Sequence, residues 1–165
     1  MVAGLSGLTE LQFLDLSNTN LMNTNDLVGV TQLFELHLSG LTLPGMELLN
    51  IAQQNPKLTA LSLAGADLSN QFFMSYSWTE LRDLNLSNTG VEDVMVMPGL
   101  ETLKLAGNQL NNIYSLQSID TLKSLDLSGN SQLMFGDIDN VIRNNPKLNE
   151  LGLSDIQIGA FPSYY

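Results

Sequence analysis

The chain has 165 residues, 17 acidic and six basic side chains, a net charge of −11 and no cysteine. The charge argues against a nucleic-acid partner, because binding the phosphate backbone needs clusters of Lys and Arg. The lack of cysteine excludes disulfides, thiolate metal sites and cysteine nucleophiles. No apolar run approaches the ~18 residues of a membrane-spanning helix, so we expect no membrane insertion.

An eleven-residue pattern recurs seven times along the chain. Leucine occupies its first, fourth and sixth positions, and an apolar residue lies at or near the eleventh. The alternation of leucine with polar residues from position four to position six predicts a short β-strand with one buried face. The copies begin at Leu11, Leu33, Leu58, Leu81, Leu100, Leu122 and Leu148. We call each copy, with the residues that lead to the next one, a coil.

The stretches between the copies predict a mixed outer side. Pro44 opens a predicted helix, GMELLNIAQQN, that ends at Asn55-Pro56. Residues 137–144, which precede another Asn-Pro, predict a second helix. The stretch VEDVMVMPG from Val91 is too short for a helix between two turns, and its β-branched residues predict extended chain.

Two groups of aromatic residues lie outside the repeated pattern. The stretch QFFMSYSW from Gln71 contains four of the eleven aromatics, which we interpret as filling an irregular coil, with an interface as the alternative.

Neither end of the array carries an evident cap. We expect Phe161, Tyr164 and Tyr165 to fold over the seventh copy, with docking onto a neighbouring chain as the alternative.

Seven copies of this pattern resemble the leucine-rich repeat family over essentially the whole chain. The 22-residue units resemble those of internalins, and the two helical units resemble repeats of the ribonuclease-inhibitor type. The resemblance implies an α/β solenoid, an arc with a parallel concave β-sheet of about seven strands and a mixed helical and extended convex side. It further implies a single domain over residues 1–165 that acts as a non-catalytic recognition module.

Position nine of such repeats is typically asparagine, whose amide hydrogen-bonds the turning backbone. Only Asn108 and Asn130 match this feature, while Thr19 and Thr89 can form part of the pattern. The other copies have Leu41, Ala66 and Ile156 at position nine, whose apolar side chains cannot form these hydrogen bonds. We therefore expect an interrupted asparagine ladder and less regular stacking of the coils.

The concave strands are the predicted binding surface, with positions two, three, five and eight exposed. Acidic residues at both ends flank a small, neutral middle, which suits a basic or extended protein partner. Phe13 and Phe34 are candidate aromatic anchors at the first end. The predicted contact residues are Phe13, Asp15, Glu35, His37, Asp83, Asn85, Lys104, Asp126 and Glu150. The alternatives are that the acidic face only keeps the array soluble, or that the array is a scaffold that self-associates through uncapped ends.

Asp15, His37 and Ser62 occupy the same position in three consecutive copies, in the order of a catalytic triad. No nucleophile turn, oxyanion donors or pocket accompany them in the sequence, so we expect cross-strand hydrogen bonding instead. The sequence predicts no enzyme, no cofactor and no metal site. The compartment stays open between the cytosol and a secreted or surface location in bacteria.

Overall fold

The computed structural model describes residues 5–69, 78–94 and 97–157. Within them, seven three-residue strands form one parallel sheet whose spatial order follows the chain. The strands are β1 (Phe13–Asp15), β2 (Glu35–His37), β3 (Ala60–Ser62), β4 (Asp83–Asn85), β5 (Thr102–Lys104), β6 (Ser124–Asp126) and β7 (Glu150–Gly152). The predicted leucine-rich repeat solenoid with seven parallel strands is therefore confirmed.

The register of the sheet follows the repeated pattern without a slip. Each position-four leucine is the Cα partner of the same leucine in the next strand, as Leu36 is of Leu61. These leucines point away from the concave face and are nearly fully buried in the inner coils, where Leu36 and Leu103 are 0% exposed. The end coils have a neighbour on one side only, and Leu151 is accordingly 36% exposed.

The chain leaves each strand through a turn in the left-handed region. All seven residues at position eight have φ between 57° and 78°. They are Asn18, Gly40, Gly65, Asn88, Gly107, Gly129 and Asp155. Only Gly, Asn and Asp tolerate this conformation well, so position eight serves the turn itself rather than simply forming exposed concave surface as the pattern suggested.

The outer side is mixed, as predicted. It contains helix α1 (Gly45–Gln53), helix α2 (Phe135–Asn144) and the 3₁₀ helices Leu5–Gly7, Asn25–Leu27 and Tyr114–Ser118. Helix α2 begins two residues before the predicted range, because the Met134 carbonyl already accepts bonds from the N–H groups of Asp137 and Ile138. Residues 91–94 contain no helix. Neither α-helix, among the described residues, is long and apolar enough to cross a membrane.

The aromatic groups noted in the sequence fall largely outside the described residues. Residues 70–77 and 158–165, which include Phe161, Tyr164 and Tyr165, are not among them. Trp78 is described, and it is 6% exposed with its Nε1 donating to the Ala52 carbonyl at 3.2 Å. At this residue the aromatic stretch contributes to the core.

The interrupted asparagine ladder predicted at position nine is present in the later coils. The Asn108 amide donates to the carbonyls of Leu86 and Leu105 at 2.8 and 2.9 Å, bridging two coils. Asn130 repeats this with Leu105 and Leu127, at 3.0 and 2.7 Å. The hydroxyl of Thr89 donates to the Leu86 carbonyl of its own coil at 2.7 Å, and its backbone N–H donates to Asn108 Oδ1 at 3.0 Å.

A second pair of buried asparagines follows the two helices, where the sequence indicated only helix ends. The Asn55 amide donates to the carbonyls of Val30 and Ile51 at 3.0 Å, and its Oδ1 accepts from Leu33 N–H at 3.0 Å. Asn145 donates to Leu116 and Val141 at 3.0 and 2.7 Å, but its buried Oδ1 accepts no hydrogen bond from any of the described residues. These amides tie the end of each helix to the preceding coil.

Candidate functional site

The nine predicted contact residues lie on one face of the sheet. Successive side chains of a strand point to opposite faces, so positions three and five lie together on the side opposite the buried leucine. Phe13, Asp15, Glu35, Asp83, Lys104 and Glu150 are exposed, whereas His37, Asn85 and Asp126 are half-buried. Their common placement follows from the seven parallel strands and the unbroken register.

At the first end of this face, an aromatic ring lies among carboxylates. Phe13 is 54% exposed, and its Cα partner on β2 is Glu35. The His37 ring lies against Phe13 with centroids 5.6 Å apart and an interplanar angle of 49°. His37 Nε2 is 3.8 Å from Glu35 Oε2. Phe34, which precedes β2, is 40% exposed.

Three of the predicted contact residues have a structural role that the sequence analysis missed. The Oδ1 atoms of Asp15, Asn85 and Asp126 accept hydrogen bonds from the N–H group two residues later, at 2.8, 3.0 and 3.0 Å. Position five thus closes an Asx turn where the chain leaves the strand. The signal was visible, because Asp or Asn two residues before a serine recurs in three copies.

The turn also sets the ionisation of Asp15. The Ser17 backbone N–H and then the Ser17 side chain are the main groups that lower the pKa of Asp15, with a smaller contribution from His37. Hydrogen bonds donated to a carboxylate stabilise its charged form. The Asp15 side chain is therefore both a turn-forming group and a fixed negative charge on the concave face.

The middle of the face contains a shallow depression of about 200 Å³. Small side chains on β3, Ala60 and Ser62, form part of its lining, and Asp83 and Lys104 line it from the following strands. Its volume is below the ~300–1,000 Å³ of typical small-molecule sites, so it suits one side chain of a larger partner.

The far end of the face carries acidic residues with basic neighbours. Asp126 is the Cα partner of Lys104, and Glu101 at position two pairs with Lys123 at 2.5 Å. The Lys123 hydrogen bond is the main cause of the lowered pKa of Glu101, helped by the charges of Lys123, Arg82 and Lys147. Glu150 is exposed on β7.

Asp15, His37 and Ser62 lie on neighbouring strands in register, but their side chains do not form a relay. The Ser62 hydroxyl is 2.7 Å from that of Ser39, and His37 contacts Phe13 and Glu35. A nucleophilic serine needs a base within hydrogen-bond reach, and the contacts here are structural instead. Among the described residues no three His, Asp or Glu side chains form a group that could hold a metal.

Comparison with known proteins identifies the fold. The structure of an internalin (inlF) from Listeria monocytogenes superposes with a TM-score of 0.83 at 21% identity, covering 98% of this chain and 47% of that one. Internalin C2 of the same organism gives a TM-score of 0.69 at 21% identity, covering 97% and 78%. The APL1 leucine-rich repeat domain gives 0.66 at 24% identity, covering 91% and 38%.

These likenesses agree with the leucine-rich repeat fold and with the internalin-like units predicted from the pattern. The chain spans less than half the length of the inlF and APL1 structures that it matches. No protein-family model matches the chain, and no curated protein matches it in sequence.

Proposed function

We propose that this leucine-rich repeat array is a non-catalytic module that binds a protein partner through its concave face. The observation that carries the proposal is the placement of nine polar, charged and aromatic side chains on one open sheet face. Solenoids of this kind offer such a surface because each coil contributes one strand to it. The acidic residues at both ends favour a basic or extended partner.

The test uses charge reversals that spare the turns. Glu35→Lys, Asp83→Lys and Glu150→Lys together change position three, where the side chains are exposed and close no turn. The matched control changes Glu10, Glu92 and Asp120 to lysine, three exposed residues outside the strands. Both variants alter the net charge equally, so a difference between them reports the face and not the overall charge.

We expect the parent chain and the control to capture the same protein from the source organism or its host, and the position-three variant to lose it. Capture by all three chains would contradict binding through the concave face. Turnover of a substrate that Ser62→Ala abolishes would contradict the non-catalytic assignment.

A second candidate function is self-association through the solenoid end. At the last coils, Ile142 of α2 and Leu151 of β7 are 37% and 36% exposed, beside a depression of about 340 Å³. A second copy of the chain would cover these apolar groups. In this case light scattering would give a mass that rises with concentration, and Leu151→Glu would reduce it to that of the monomer. A constant monomer mass would exclude this candidate.

A further inference from the structure

The two acidic ends of the concave face differ in what surrounds their carboxylates. Residues 1–56 contain five acidic side chains and no Lys or Arg, because the first basic residue of the chain is Lys57. At the far end, Lys104 lies beside Asp126, and Lys123 pairs with Glu101. Lys57 ends the second coil and donates to Gln32 Oε1 at 3.1 Å, and among the described residues no ion pair joins Asp15 or Glu35 to a Lys or Arg.

The first end also presents an aromatic ring to solvent. We define the first-end patch as Phe13, Asp15, Glu35 and His37. Asp15 follows Phe13 by two residues on β1, and Glu35 is the Cα partner of Phe13 on β2, so carboxylates flank the ring on two sides. A cation from a partner could contact the exposed face of the Phe13 ring and pair with the Asp15 and Glu35 carboxylates at the same time.

The chain's own imidazole shows that a planar nitrogen group fits this arrangement. The His37 ring lies 5.6 Å from Phe13, within the ~6 Å range over which a cation interacts with an aromatic face. Its Nε2 is at the same time 3.8 Å from Glu35. One planar group thus contacts the ring and a carboxylate together, and the exposed remainder of Phe13 is open to a second.

We propose that the first-end patch binds an arginine side chain of the protein partner, a proposal that rests on the concave-face function above. The guanidinium stacks on Phe13 and pairs with Glu35 and Asp15. Arginine suits the patch better than lysine, since its planar group stacks on rings and offers five donors to two carboxylates. Asp15 keeps acceptor capacity beside its turn bond, because a carboxylate accepts about four hydrogen bonds.

The test can remove charge without disturbing the fold. Asp15→Asn keeps the turn, because Asn85 forms the same bond to Ser87 at the same position of another coil. Combined with Glu35→Gln, it neutralises the first-end patch. The matched control, Asp126→Asn with Glu150→Gln, removes the same two charges at the same strand positions of the far end.

The probe is the blocked peptide acetyl-Gly-Arg-Gly-amide, compared with its citrulline and lysine counterparts at constant ionic strength. His37 is the only histidine, so its ring protons give an NMR signal that belongs to the patch alone. We expect the arginine peptide to cause saturable chemical-shift changes of the His37 ring protons, with a Kd on the order of 1–10 mM. The citrulline peptide should cause none. The lysine peptide lacks the planar five-donor group and should bind the parent chain about threefold more weakly. The arginine peptide should bind Phe13→Leu about threefold more weakly, because that variant lacks the cation–π contact.

Neutralising the first-end patch should raise the Kd of the arginine peptide about tenfold, whereas its Kd for the far-end control should stay within about twofold of that for the parent chain. An equal response to citrulline, equal effects of the two neutral variants, or no saturable shift up to ~20 mM peptide would overturn the proposal.

Partner capture separates this inference from the function on which it rests. Loss of the partner with the position-three reversals, but full capture by the neutralised first-end patch, would overturn the arginine site and leave concave-face binding intact. Capture unaffected by the reversals would overturn the proposed function itself. Loss with the neutralised patch, and retention by its far-end control, supports both.

Discussion

The second and third coils are held together differently from the fifth and sixth. In the earlier pair, position nine is Leu41 and Ala66, both apolar. The buried Asn55 amide after α1 joins the second coil to the first, and Trp78 Nε1 of the third coil donates to the Ala52 carbonyl of the second. In the later pair, Asn108 and Asn130 bridge the turns beside the concave face. The two devices are independent, because the sixth coil combines Asn130 with Asn145 after α2. A coil can therefore replace its turn amide with apolar packing where a helix supplies a bridge elsewhere.

The largest effect should come from replacing Asn108 with leucine, the residue at the same position of the second coil. The substitution leaves the N–H groups of Thr89 and Gly90 without their acceptor. It also removes one of the two donors to each of the Leu86 and Leu105 carbonyls. Because unpaired buried backbone groups are costly, we expect the free energy of unfolding to fall by about 3–5 kcal/mol. Urea unfolding followed by circular dichroism measures it. A loss below about 1 kcal/mol would show that the turn needs no amide in either half.

A smaller effect is the difference in unfolding free energy between substitutions of Asn55 and Asn145, the two asparagines that follow the helices. Within the described part of the chain, Asn55 forms three hydrogen bonds, whereas Asn145 donates two and its Oδ1 accepts none. Replacing each with leucine should therefore cost less at Asn145, by about 1 kcal/mol, since the wild-type residue already buries an unsatisfied acceptor. The same unfolding experiment tests both variants side by side. Equal losses, or a greater loss at Asn145, would contradict this account.

The smallest effect concerns two carboxylates whose lowered pKa values have different causes. Backbone and side-chain bonds from Ser17 dominate at Asp15, while Lys123 dominates at Glu101. Salt screens an exposed ion pair more than a local turn bond. In carboxyl NMR titrations, added salt should raise the pKa of Glu101 toward its usual value. The pKa of Asp15 should change less and stay below its usual value. Equal changes of the two pKa values with salt would contradict the different causes given for them.

The pH dependence has the same sign at both sites. A carboxylate whose folded pKa lies below its unfolded value stabilises the fold above the unfolded pKa. That contribution is lost as the pH falls through the lowered folded pKa. Acid should therefore weaken the Asp15 turn bond and the Glu101–Lys123 pair, whereas a change between about pH 6 and pH 8 should affect neither. The Lys123→Met variant should return the pKa of Glu101 toward its usual value and serves as the control.

The repeated leucines were sufficient to predict the sheet, because their spacing leaves one way to bury them in every coil. The roles of Asn108 and Asn130 were predicted from the resemblance to leucine-rich repeats, in which position nine is typically asparagine. The role of Asn55 was not, because an Asn-Pro pair indicates a helix end and says nothing of the Val30 carbonyl 25 residues earlier.

The concave face was predicted as a set of positions but not as a set of contacts. Alternation places Asp15 and His37 on the exposed side, yet only the structure gives the Ser17 bond of one and the Phe13 contact of the other. Which cation neutralises which carboxylate depends on side chains from different coils. Sequence spacing alone does not provide that information.

The Asx turn at position five has a consequence for how such a surface can change. Asp and Asn form the same turn bond in this chain, at Asp15, Asn85 and Asp126. Exchange between them changes the charge of the face by one unit per coil while the backbone keeps its support. The array thus has positions at which the negative charge of the concave face can change while the turns stay closed, so related arrays can share a backbone and differ in the charge that they present.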